Sequence, residues 1–198
     1  LRYTDISRII LTSLIVRIFF LLIGHYVTPL PDSTADAITF ERLASRMSEE
    51  GLSEVLSQFR GPDPRFISWL IALPYSLFGR SILMAKSMSL LFGIGSVFLG
   101  WLVAKKIWNN RTANKVGWAL ALFPSLVLYS VITMREVYIV FFLLLALYGV
   151  IGWVKTDSLK SILLAMTGFI FATFFHGGMF VGGIVFLSII GISSLKRL

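Results

Sequence analysis

Cysteine is absent from the 198 residues, which excludes disulfides, thiolate metal sites, iron–sulfur clusters and cysteine nucleophiles. Acidic residues are scarce: 10 Asp and Glu stand against 18 Lys and Arg, giving a formal charge of +8. The basic residues are spread along the chain and do not form one patch. The imbalance therefore bears on membrane orientation and not on nucleic acid. No Walker-type or dinucleotide-type glycine loop and no nucleophile elbow is present. His, Asp and Glu occur at no spacing specific for a metal. The short regular alternation of a transmembrane β-barrel is missing as well.

What remains is strongly apolar. Hydrophobic residues make up 57% of the chain, and the mean hydropathy is +0.85. Apolar runs recur at about 17–25 residues, the length of a membrane-spanning helix. The predicted spans are 9–27, 82–103, 116–134, 137–154, 159–175 and 179–195. The first lacks a small-residue cleavage site, so it reads as an anchor and not a signal peptide. The chain begins on Leu1 and ends on Leu198 just after a span, which reads as one module, residues 1–198, trimmed from something longer. Arg17 lies inside the first span, where a charge is costly. It either faces the bundle or snorkels, or it has a functional role. Gly178 and Gly182, four apart at the sixth span, allow close helix packing.

The one long polar interval, 31–79, holds seven of the ten acidic residues: Asp32, Asp36, Glu41, Glu49, Glu50, Glu54 and Asp63. Ser33 and Asp36 fit a capping box. Phe40, Leu43, Ala44 and Met47 then recur at helical spacing until Gly51. This helix is too polar to span a bilayer and suits its surface. Residues 52–59 add a short helical turn. Gly61-Pro62-Asp63-Pro64 breaks the chain. The apolar stretch 66–78, interrupted by Pro74, is too short to span and reads as a second surface helix.

Basic residues orient the spans. Arg2 and Arg8 precede the first. Lys105, Lys106, Arg111, Lys115, Lys155, Lys160, Lys196 and Arg197 all fall after even-numbered spans, with Asp157 the only acid among them. The N-terminus and these loops are therefore expected in the cytoplasm. The predicted architecture is an all-α polytopic membrane protein, in the plasma, inner or endoplasmic-reticulum membrane. About six transmembrane helices carry two amphipathic surface helices on the outer face. Asp32, Asp36, Asp63, Lys86, Arg135, Glu136 and His176 then share that face.

Each candidate has a plain reading and a chemical one. Asp36 is a helix cap or a general base, and Asp32 is a turn residue or an alternative to Asp36. Arg135 and Glu136 form a helix-end ion pair or contact substrate hydroxyls and phosphate. Arg80 and Lys86 snorkel or anchor a lipid-linked phosphate. His176 is an interfacial side chain or a ligand contact. Asp36, Lys86, Glu136 and His176 are expected around one cavity that opens sideways to lipid.

The order of these features resembles the N-terminal module of the GT-C glycosyltransferases. The nearest likenesses are the protein O-mannosyltransferases and the lipid A aminoarabinose transferases. The pattern is an acid at the start of a surface helix with an aromatic four and an alanine eight residues on, here Asp36, Phe40 and Ala44. A proline-led second surface helix ends in Leu77-Phe78-Gly79, and a basic residue follows at Lys86. A proline sits in the third span, Pro124, and an acid opens the fourth, Glu136. His176-Gly177 ends the fifth, where a lysine is usual. Two further departures are Ala37 after Asp36, where the mannosyltransferases carry Glu, and Pro62-Asp63, where the aminoarabinose enzymes carry Glu-Lys.

The resemblance implies transfer of a sugar from a polyisoprenyl-phosphate donor to a protein, lipid or glycan acceptor at the outer face, with inversion. It implies Asp36 as the base and Glu136 as a second catalytic group. Asp32, Asp63, Arg65, Arg80, Lys86, Arg135 and His176 would contact substrate and phosphate. No cofactor is implied with certainty, and a divalent metal stays open. A polysaccharide polymerase or ligase using a lipid-linked oligosaccharide is the competing enzyme reading. A transporter or structural membrane subunit is the non-enzymatic one; the transporter form predicts repeats and ionisable groups near the midplane.

Overall fold

The computed structural model describes residues 4–195. Arg2, Lys196 and Arg197, used above for orientation, lie outside them. The described chain is all helical, 82% of it in helix and without strands. Three helices are long and apolar enough to cross a membrane: α1 (Thr4–Tyr26), α5 (Ile82–Ile107) and α8 (Glu136–Thr156). Shorter apolar helices are α9 (Leu159–Phe175) and α10 (Phe180–Leu195), joined by a 3-10 turn at Gly177–Met179.

The polar interval folds into α2 (Ala35–Ser48), α3 (Leu52–Ser57) and α4 (Phe66–Phe78). α4 runs about 20 Å, short of a roughly 30 Å hydrocarbon core. It buries Ile67, Ile71, Ala72 and Tyr75. α2 covers it with Phe40 and Ala44, and the Trp69 indole donates to the Val55 carbonyl at 2.7 Å, tying α3 down. α4 stops at Gly79, whose φ of 82° only glycine adopts cheaply. That is the physical content of the Leu-Phe-Gly ending.

The capping box does not form. The Ser33 hydroxyl donates back to the Leu30 carbonyl at 2.6 Å, and Thr34 occupies the N-cap with no side-chain bond. Ser33 instead closes the turn that enters α2.

The predicted third span is not one helix. α6 (Asn110–Leu122) ends at Phe123, which is extended at ψ 116°, and α7 (Pro124–Tyr129) restarts at once. Proline forces the preceding residue out of the helical region and is at home on a first helical turn. The break leaves carbonyls at the end of α6 without helical donors. Arg17, fully buried midway along α1, supplies one: its guanidinium donates to the Ala121 carbonyl at 3.0 Å and to the Ser130 hydroxyl at 2.9 Å. Ser13 accepts from it as well. No carboxylate pairs with Arg17 among the described residues, and one of its terminal nitrogens has no partner. The mid-span arginine therefore faces the bundle and stitches a broken helix.

Glycine brings backbone against backbone between α8 and α9, whereas Gly178 and Gly182 meet side chains. A Cβ on Gly149 would lie 2.4 Å from the Ala165 nitrogen, and one on Gly168 would lie 2.5 Å from the Ala146 nitrogen. Small residues facing small residues let two helices touch main chain to main chain. Gly182 faces the Phe169 ring and Gly178 the His176 ring.

The two ends of the bundle differ. At one, Trp101, Asn114 and Asp5 form a chain of hydrogen bonds at 2.8 and 3.1 Å, and Lys106 donates to the Tyr148 carbonyl at 3.1 Å. At the other, α2–α4 form a cap. Phe66 of α4 stacks on Trp69 and packs against Phe174 and, edge-on, Phe175, joining the cap to the end of α9.

Candidate functional site

The site is built where the cap meets the ends of α1 and α5. The loop entering α2 carries two non-glycine residues with positive φ, Asp32 at 57° and Ala35 at 34°. Such backbone costs on the order of 1–3 kcal/mol per residue and persists where the surroundings enforce it. The following turns of α2 present Ala37, Glu41 and Arg42 to a cavity of about 340 Å³, with Arg80 and Lys86 opposite. The Lys86 stem is buried, and its ammonium donates to the Gly24 carbonyl at 3.1 Å. An ammonium has three donors, so two remain for a ligand.

Glu41 is the anchor of this region. Its carboxylate is buried and accepts two bonds from Arg80, at 2.9 and 2.7 Å, and one from the Tyr75 hydroxyl at 3.1 Å. Burial alone pushes this carboxyl up. The bonds from Arg80 and Tyr75 outweigh it and hold Glu41 below its ordinary value. Burial, with the Glu41 charge beside it, pushes the Tyr75 hydroxyl up. The bidentate pair fixes α2 against the α4–α5 corner. Glu41 and Tyr75 were not singled out from the sequence. The signal that could have found them is an acid on the apolar face of α2, one residue from Phe40.

The other predicted residues divide. Asp36 lies on the first turn of α2, exposed, with no side-chain hydrogen bond or ion pair among the described residues. Asp32 accepts from the Tyr129 hydroxyl at 3.0 Å. Glu136 opens α8, 3.8 Å from the Arg135 guanidinium, and one of its carboxylate oxygens is buried without a partner. It lines a separate pocket of about 220 Å³ with Tyr129, Phe123 and Leu120, opened by the break at Pro124. Asp63 and Arg65 bond to each other at 3.1 Å, and Asp63 also accepts the Arg65 backbone N–H at 2.7 Å, opening α4. The Arg65 side chain and backbone hold the Asp63 carboxyl below its usual range. His176 is exposed at the end of α9 and borders neither of these two spaces.

Among the described residues, Asp36, Lys86, Glu136 and His176 do not line one cavity together. Lys86 and Arg80 share one with α2. Glu136 sits in a neighbouring pocket beside Tyr129, which also holds Asp32. After the break at Pro124, residues 130–133 between α7 and α8 are buried; Ile132 and Thr133 line the Lys86 cavity, whereas Glu136, three residues on, lines the other pocket. Among the described residues no three His, Asp or Glu side chains cluster as a metal site.

Long apolar helices with a cation-lined cavity at one end define a helical membrane protein with a polar site beneath a cap. The chain belongs to the dolichyl-phosphate-mannose-protein mannosyltransferase family, whose model matches residues 63–197. It is thus an integral membrane chain of GT-C glycosyltransferase type. The match begins at Asp63, so α1–α3, with Asp36 and Glu41, lie before it. Comparison with curated proteins and with solved structures gives no significant match.

Proposed function

We propose that this chain transfers a sugar from a polyisoprenyl-phosphate donor to an acceptor hydroxyl at the non-cytoplasmic face of the membrane. The observation that carries this reading is the cavity between α2 and α5, where the Lys86 ammonium faces a polar helix face with Arg42 and Arg80 nearby. A lipid-linked donor keeps its phosphate at headgroup depth, where cations at a helix end meet it. In this reading α6–α7 together make one crossing, α9 and α10 two more, and the N-terminus is cytoplasmic. The cap α2–α4 lies on the outer surface.

Asp36 removes the acceptor's hydroxyl proton, and the oxygen attacks the anomeric carbon from the face opposite the phosphate. The bond from that carbon to the phosphate oxygen breaks, and the lipid phosphate leaves with its electron pair. Lys86, with Arg42 and Arg80 lining the same cavity, offsets the charge that develops on it. The strained loop at Asp32 and Ala35 supports Asp36 as the base, because it fixes the first turn of α2 beside the cavity. Glu136, with one oxygen unpartnered, orients the acceptor or the sugar from the adjoining pocket. The family name supports a dolichyl-phosphate-linked mannose as donor and a protein as acceptor.

The test is sugar transfer by the full-length protein in membranes. Asp36→Asn is expected to lower turnover at least about 100-fold with little change in donor KM. Lys86→Ala is expected to raise donor KM, with partial rescue in Lys86→Arg. Unchanged turnover in Asp36→Asn removes the base assignment, and unchanged donor KM in Lys86→Ala removes the phosphate site.

A further inference from the structure

A third space lies about two turns further along α2, on the order of 10 Å from the Lys86 cavity. It is a groove of about 290 Å³ between α2, the end of α3 and the start of α4. Its floor is aromatic: Phe59 and Phe66 pack on Trp69 at 4.9 and 5.5 Å. Its rim is cationic, formed by Arg46, Arg60 and Arg65. Arg65 is bonded to Asp63, the only acid in the lining. Arg46 and Arg60 make no side-chain hydrogen bond or ion pair among the described residues, although the Arg60 charge reaches Asp63. Glu49, Glu50 and Glu54 belong to the same interval yet line no part of the groove.

The apolar side of this region is not covered. On α3 and just beyond it, Leu52, Leu56 and Phe59 are exposed at helical spacing. Phe59 stacks on Phe174 at 6.0 Å, and Phe174 packs against Phe171, itself exposed beside Ile170 on the outer face of α9. Exposed apolar side chains thus lie on both α9 and α3, linked through the Phe59–Phe174 contact, and Arg60 follows Phe59 directly. An apolar belt that ends in arginines is the profile of a helix lying at the boundary between acyl chains and headgroups. Guanidinium groups suit phosphate, which they bond in pairs.

We infer that the groove bounded by Arg46 and Arg60 binds the phosphate headgroup of an anionic membrane phospholipid, with Leu52, Leu56 and Phe59 set in its acyl region. This lipid is distinct from the sugar donor. Its binding seats the cap on the bilayer surface beside the Lys86 cavity, an arrangement that rests on the function proposed above.

The experiment is native mass spectrometry of the full-length protein in detergent, titrated with phosphatidylglycerol or with phosphatidylcholine. The wild type is expected to retain phosphatidylglycerol several-fold more than phosphatidylcholine. Arg46→Gln with Arg60→Gln is expected to remove that preference, about a tenfold loss, at unchanged helicity and melting temperature. Leu56→Ser is expected to weaken retention of both lipids. Millimolar inorganic phosphate should not displace the lipid; if it does, the groove is a site for free phosphate and the inference falls. It also falls if the double variant keeps the preference, or if the wild type has none. Asp36→Asn separates the two proposals. It should abolish transfer and leave lipid retention untouched, so transfer that survives it refutes the catalytic reading alone.

Discussion

Two arginines hold this molecule together in opposite ways. Arg17 is fully buried in the bundle, and its partners are neutral: a backbone carbonyl of α6, a hydroxyl at the end of α7 and Ser13 on its own helix. Arg80 is half-exposed at the cap, and its partner is a buried carboxylate. In the bundle the fixed need is a carbonyl orphaned by proline, and a single long fork of donors meets it without a second charge. At the cap the fixed need is to hold α2 against α4 and α5, and a paired charge does so because water still reaches one side. The lesson is that a charge in a membrane segment need not signal transport or catalysis. It can complete a backbone that the sequence itself has broken.

The sharpest way to break this contrast is Arg17→Ala. It leaves the Ala121 carbonyl unsatisfied and opens a cavity between α1, α5 and α7, so a loss of about 3 kcal/mol or more is expected. Thermal unfolding in detergent measures it, and the loss should be the same at pH 5 and pH 8. A deficit that varies with pH would mean an unseen carboxylate partner.

Gly93→Ala attacks the same stitch from the third side. A Cβ there would sit 2.2 Å from the Ser130 Cβ and 3.2 Å from the Arg17 Nε. Overpacking of this kind costs about 1–3 kcal/mol, and its effect should shrink when Ser130 is also replaced by glycine.

At the cap, Glu41→Gln is expected to cost about 2 kcal/mol at neutral pH, by removing the charge that Arg80 and Tyr75 serve. The sign of its pH dependence follows from Glu41's lowered pKa. The stabilisation is fully present above the ordinary glutamate value of 4.5 and is lost as the pH falls through the lower folded value. Wild type and variant melting temperatures should therefore converge on acidification below that value. Arg80→Lys is the mildest change. It keeps the charge and loses the fork on a half-exposed side chain, so less than about 1 kcal/mol is expected. A loss as large as that of Glu41→Gln would mean that Arg80 is buried by a neighbour in the membrane.

Much of the cap was legible because its signals are local. Gly51 and Gly79 mark helix boundaries, Gly61 lies in the break between α3 and α4, and Phe40, Ala44 and Met47 share the face of α2 that meets the core. The break at Pro124 was visible as a proline inside a span, yet whether it kinks or interrupts depends on whether neighbours satisfy the freed carbonyls. Here Arg17 does so from 104 residues away. The long-range contacts of the site were hidden for the same reason. Asp36 stood out by its place at a helix start, whereas Glu41 was hidden within a polar run, and its bond to Arg80 spans 39 residues.

The sequence by itself determined an all-helical, membrane-crossing chain with a helical polar interval, and the family to which it belongs. These follow from composition and from periodicities of a few residues, which local sterics and hydrophobicity enforce. Tertiary structure alone decided which charges meet: Glu41 with Arg80, Arg17 with a carbonyl, Lys86 and Glu136 in separate pockets. Those choices depend on how distant helices pack, and no short stretch of the chain encodes that.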